Sequence, residues 1–144
     1  MPQFILHIEP PATTAQQQKT AVIAGRVMRY DPPKVKAAKR LLAVALMQHR
    51  PRSRIDGPAR CWVKWCIPYP KATPARITED LPHYRKPDPD NAAKLLLDQL
   101  TDAGFWHDDG QVADLRFRKY WTRTPRIEID IEPLTEQPDN LPGL

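Results

Sequence analysis

Four aspartates stand at the two ends of one stretch, residues 86–112: Asp88 and Asp90 near its start, Asp108 and Asp109 near its close. Carboxylates held close together raise one another's pKa unless a cation lies among them. Grouped Asp oxygens with one lysine nearby suit Mg2+, which takes hard oxygen ligands and keeps several waters. The chemistry such a group supports is metal-assisted hydrolysis of a phosphate ester.

The elements that must position these acids follow from the same stretch. Pro89 biases Asp88 toward extended backbone, and in extended chain side chains two apart point the same way. Asp88 and Asp90 are therefore expected to project together. Asp90 is also expected to cap a helix, its carboxylate accepting from the N–H groups of Ala92 or Ala93. Ala93, Leu96, Leu97 and Leu100 make the apolar stripe of that helix, and Asp90, Lys94 and Asp98 form a row beside it. Gly104 is placed to end the helix in left-handed backbone. Phe105 and Trp106 are large enough to pin a reversal that returns Asp108 and Asp109 toward the helix start. The same residues are also sound turn and cap chemistry, because Asp-Pro-Asp-Asn opens helices and Asp-Asp-Gly makes loops. Spacing alone leaves both readings open.

The stretch resembles the signature of the RusA family of Holliday-junction resolvases, found on phages and prophages. That signature runs Asp-x-Asp-Asn-x-x-Lys, a helix with a further Asp, then Gly-aromatic-Trp-x-Asp-Asp-x-Gln-Val. Here its twelve positions are Asp88, Asp90, Asn91, Lys94, Asp98, Gly104, Phe105, Trp106, Asp108, Asp109, Gln111 and Val112, without a gap. The resemblance implies an endodeoxyribonuclease that cuts branched DNA at paired symmetric positions in recombination and repair. It implies that Asp88, Asp90 and Asp109 ligate Mg2+ or Mn2+, with Asp108 as a further ligand candidate. Lys94 would neutralise charge on the phosphoryl oxygens, and Asp98 would fix Lys94. It also implies a homodimer with two equivalent sites, which suits a four-way junction.

Composition agrees with a polyanion as partner. The 144 residues are one domain's worth, and the hydrophobic content of 41% is enough for a single core. The formal charge is +5, and residues before 132 carry 22 basic against 14 acidic side chains, a net +8. No apolar run approaches the length of a membrane span, and the start lacks a signal-peptide pattern, so a cytoplasmic protein is expected. Cys61 and Cys66 are expected to be reduced, and no zinc-ligand spacing accompanies them. Of the four histidines only His107 adjoins the Asp pair, where a supporting or substrate role is open to it.

Along the chain, 3–9 reads as a strand, 12–20 as a surface loop, and 21–31 as a segment with Arg26, Arg29 and Tyr30 beyond a flexible Gly25. A helix is expected from Pro32 and Pro33 to about His49, with Val35, Ala38, Leu42, Ala45 and Leu46 inward. Lys34, Lys36, Lys39 and Arg40 gather in its first turns, as a solvated face or a phosphate-facing one. Residues 50–60 form a basic loop and 61–69 a strand covered on both faces. The Pro-rich segment 70–87 is expected to be mobile; within it Tyr84 suits stacking on a base, and Arg85 and Lys86 suit phosphate. Residues 112–121 and 126–132 alternate strongly and read as an antiparallel hairpin, with Arg116 and Arg118 on its polar face. From residue 133 the tail reads as disordered.

The expectation is a single α/β domain over residues 1–132, ordered β-α-β-α-β-β, with helices flanking a small mixed sheet. Arg26, Arg29, Lys34, Lys36, Tyr84, Arg85, Lys86, Arg116 and Arg118 are the candidate DNA contacts. Two rival readings differ in class: a non-catalytic basic nucleic-acid-binding module, and a nucleotide phosphohydrolase. The long basic segments count against the second, because a mononucleotide needs few phosphate contacts.

Overall fold

Strand periodicity becomes a mixed sheet whose pairing differs from what sequence neighbours suggest. The computed structural model describes residues 3–13 and 19–134. Its elements are β1 (Gln3–Leu6), β2 (Lys19–Ile23), β3 (Arg26–Tyr30), α1 (Pro33–Leu46), β4 (Ala59–Pro68), β5 (Leu81–Pro82), α2 (Pro89–Asp102), β6 (Val112–Thr122) and β7 (Arg126–Pro133). Short 3-10 turns, Met47–His49 and Asp109–Gln111, follow α1 and precede β6. The α/β class is as expected. The hairpin of β2 and β3 and the two-residue β5 are additions. Residues 14–18 of the expected loop and the tail from residue 135 lie outside the described residues.

The main sheet is ordered β1-β7-β4-β6-β5. β6 and β7 are therefore not a hairpin. β4 lies between them, parallel to β6 and antiparallel to β7. The link from Thr122 to Arg126 must cross two strand spacings, about 9.5 Å, and a four-residue advance of extended chain reaches about 13 Å. A short connection thus allows the hairpin without requiring it. β4 takes the central place because Cys61, Val63 and Trp65 alternate fully buried along one of its faces.

On that face α1 contributes Val35, Ala38, Leu42 and Leu46, and α2 contributes Ala92, Leu95, Leu96 and Leu100. Apart from Val35, these pack with Phe4, Leu6, Phe105, Trp106, Ile127, Ile129 and Ile131 in one core. The α2 contact is wider than the expected stripe, because Ala92 and Leu95 are also buried. Among the described residues no helix packs on the opposite face of β4, and that face is half-buried by side chains rather than closed. Its Trp62 is instead sandwiched by the guanidinium groups of Arg60 and Arg116, each 3.9 Å from the ring centroid. Cys61 and Cys66 are buried free thiols, and burial, followed by the charge of Asp130, pushes Cys61 up to about 12.

The segment expected to be mobile is tied down. Arg123 donates to the carbonyls of Thr73, Pro74 and Ile77. The Tyr69 hydroxyl donates to the Glu79 carbonyl, and Asp80 pairs with Lys64 at 2.9 Å and Arg126 at 2.8 Å. Most of these acceptors are backbone carbonyls, which sequence composition does not display.

Candidate active site

Asp88 has φ −63° and ψ 141°, the extended backbone that Pro89 demands. It stands as the helix N-cap, and the Ala92 N–H donates to its carbonyl at 3.0 Å. The expected cap by Asp90 is not made. Pro89 needs no N–H partner and already has helical φ, so α2 begins ahead of Asp90. Asp90 falls inside the first turn, where its charge suits the positive helix end. Asp88 and Asp90 therefore do not share an extended segment, and the alternation argument does not apply to them. Both are exposed, as is Lys94 one turn further on.

At the far end Gly104 takes φ +92° and reverses the chain as expected. Phe105 and Trp106 are buried, and the Trp106 indole donates to Thr101 Oγ1 at 2.7 Å. Gln111 then clamps the loop from both sides. Its amide nitrogen donates to the carbonyls of Ile55 and Gly57, and its oxygen accepts from the N–H groups of His107 and Asp108. Asp108 completes a capping box by accepting from Gly110 N at 3.3 Å. For Asp108 the cap reading therefore describes what the side chain does. His107 turns away to pair with Asp56 at 2.8 Å. Asp109, next to the cap, is left half-buried without such a duty.

The two acidic pieces meet electrostatically between Asp109 and Asp98. The Asp98 pKa is raised, first by burial and next by the charge of Asp109, with Lys94 and Lys39 opposing and Asp102 adding. Lys39 also holds Asp31 at 2.7 Å, so it is not a free phosphate contact of α1. Asp98 lies eight residues beyond Asp90, about 12 Å along the helix axis. Among the described residues, no three His, Cys, Asp or Glu side chains are gathered closely enough to hold a metal ion. The donor chemistry nevertheless suits one, because Asp88, Asp90 and Asp109 offer hard carboxylate oxygens from two chain segments.

Lys119 is a residue of this site that the sequence reading passed over. It sits on the inward face of β6, in phase with Phe117 and Trp121, and that position was the available signal. Burial lowers its pKa and the charge of Asp88 opposes the shift. Its ammonium donates to the carbonyls of Arg85 and Pro87. His83 is also buried there, its ring 4.2 Å from that of Trp121 and its N–H on the Lys119 carbonyl. Burial, then Lys119 and Arg85, lowers the His83 pKa.

The candidate DNA contacts divide by position. Tyr84, Arg85 and Lys86 are exposed immediately before the aspartates, with Tyr84 82% exposed. Arg26 and Arg29 lie on β3, and Lys34 and Lys36 on the outer side of α1. Arg116 and Arg118 point from β6 to the face opposite the helices, stacked over Trp62 and Tyr120. The structure does not bring those two to the carboxylates.

The family described as Endodeoxyribonuclease RusA matches residues 9–132 of the chain. The chain is 31% identical over 140 residues to the uncharacterized protein YqaN of Bacillus subtilis (strain 168), across 92% of this chain and 96% of that one. It is 46% identical over 57 residues to the crossover junction endodeoxyribonuclease RusA of Escherichia coli (strain K12), covering 39% of this chain and 48% of that protein. The RusA protein of Enterobacteria phage 82 matches to the same extent. The match thus spans about half the length of these two relatives.

Proposed function

The chain belongs to the RusA endodeoxyribonuclease family, and we propose that it is a structure-selective nuclease resolving four-way DNA junctions by paired symmetric cuts. The observation that supports this reading is that the charge of Asp109 acts on Asp98, so the 3-10 turn lies within electrostatic reach of the helix that carries Asp90 and Lys94. Asp88, Asp90 and Asp109 would hold Mg2+, or Mn2+ in its place. Asp108 is the weaker ligand because its carboxylate already caps the turn. A divalent ion bound there supplies an activated water and neutralises charge on the leaving oxygen.

The chain's own residues do the remaining work. Lys94, exposed one turn into α2, meets the phosphoryl oxygens as their charge grows. Tyr84 offers a ring to an unstacked base, and Arg85 and Lys86 offer cations to the flanking phosphates. A homodimer would present two such sites to a two-fold substrate. Val22, Ile23 and Val27, on the hairpin of β2 and β3, are 73%, 61% and 71% exposed. An isolated two-stranded hairpin is marginal in water, and this exposed apolar surface suits burial against a second copy. No helix among the described residues is long and apolar enough to cross a membrane.

The test is a synthetic four-way junction labelled on each strand in turn. Symmetric nicks in Mg2+ and none in EDTA are expected. Binding without nicks in Mg2+ or Mn2+ would return the chain to the non-catalytic reading.

A further inference from the structure

Residues 81–87 carry no helix and only two residues of strand, yet they deliver Asp88 to the site. Six contacts fasten them to β6, and all lie within Lys119–Trp121. Leu81 and Pro82 pair with Trp121 and Tyr120. The His83 N–H donates to the Lys119 carbonyl at 3.0 Å, and the His83 ring packs on Trp121. Beyond His83 the backbone leaves the strand, and only the Lys119 ammonium follows it. That ammonium bonds the carbonyl of Arg85 and, at 2.7 Å, that of Pro87. An ammonium has three donors, so two carbonyls do not exhaust it, and the charge of Asp88 acts on the same ammonium.

We propose that Lys119 is a positioning residue: it holds the main chain of Arg85–Pro87 so that Asp88 and the exposed Tyr84–Lys86 side chains reach the substrate as one rigid unit. A cation that is merely solvated would not be placed in phase with Phe117 and Trp121, where desolvating it is costly unless carbonyls or charge compensate. Placement of a reacting group matters steeply, since a displacement of about 1 Å can lower a rate by about 10²-fold. The role proposed for Lys119 in turnover rests on the nuclease reading; its hold on the main chain does not.

Two readouts separate those parts. Trypsin must attack the Arg85 carbonyl to cut after Arg85, and that carbonyl is one Lys119 holds. In Lys119→Met, nicking after Arg85, followed by mass spectrometry, is expected to rise about tenfold or more, while nicking after Arg60 in β4 stays unchanged. Junction cleavage in Mg2+ is expected to fall about 10²-fold at saturating DNA, with junction binding in Ca2+ changed less than about threefold. Lys119→Arg, which keeps a cation and donors, is expected to hold nicking near wild type and to recover at least about a tenth of the cleavage rate.

Unchanged nicking after Arg85 in the methionine variant would overturn the proposal, as would equal cleavage losses in the methionine and arginine variants. If methionine prevents folding, the arginine variant decides: slow nicking with retained cleavage supports the role, and loss of either overturns it. If wild type cuts no junction, the nuclease reading fails, and the tryptic readout still tests the hold on the main chain.

Discussion

Asp109 raises the pKa of Asp98 from a different element, second only to burial among the causes. The 3-10 turn after Trp106 therefore lies within electrostatic reach of α2. Like charge kept close in a folded protein is a stability cost commonly retained for function. A raised carboxyl pKa in the folded state means that stability falls as pH rises through the interval from the unfolded to the folded value. Asp109→Asn should thus raise the Tm at pH 7 in EDTA, by about 1–3 °C, and abolish junction cleavage. Calorimetry showing a lower Tm would mean that Asp109 is held by a favourable contact instead.

Asp90 lies in the first turn of α2 with its carboxylate exposed. Asp90→Asn keeps the shape and removes one negative charge near phosphate. Cleavage should vanish while junction binding stays equal or tightens, read by gel shift in Ca2+. Near-wild-type cutting in Mg2+ would remove Asp90 from the metal set.

Lys94 has its charge near Asp98 but forms no ion pair with it within 4 Å. The expected fixing of Lys94 by Asp98 is thus an electrostatic influence rather than a bond. Lys94→Ala should lower single-turnover cleavage by about 10²-fold with a modest loss of binding. Equal losses in both would make it a phosphate anchor only.

Asp80 secures the loop before the site to the sheet. Burial acts to raise its pKa, but hydrogen bonds from Lys64, Arg126 and Thr122 prevail and bring it to about 2. A depressed folded value contributes stability above the unfolded pKa, and this is lost as pH falls from about 4 to about 2. Asp80→Asn should cost about 1–2 kcal/mol at pH 7 in urea unfolding, and the gap to wild type should close by pH 2. A constant gap across that range would assign the effect to packing.

Val22 and Val27 pair across β2 and β3 and are exposed. Val22→Asp combined with Val27→Asp should convert a dimer to a monomer in sedimentation without lowering helix content. A dimer that persists would place the contact elsewhere.

Much of this protein was legible in its residue order where the determinants are local. Pro89 set the backbone of Asp88, Gly104 supplied the left-handed turn, and the stripes of α1 and α2 were visible at helical spacing. Those features depend on φ preference and on burial of one face, which act within a few residues. The acidic ends of residues 86–112 were legible for the same reason.

What only the tertiary structure decided concerns partners far apart in the chain. Insertion of β4 between β6 and β7, the Gln111 clamp on Ile55 and Gly57, and the influence of the Asp109 charge on Asp98 have no local signature. Nor does the ammonium of Lys119 on the carbonyls of Arg85 and Pro87. Every residue carries a carbonyl, so nothing in residue order says which one a distant side chain will bind. Sheet order is set by which apolar faces can close one shared core, and that is a property of the whole chain.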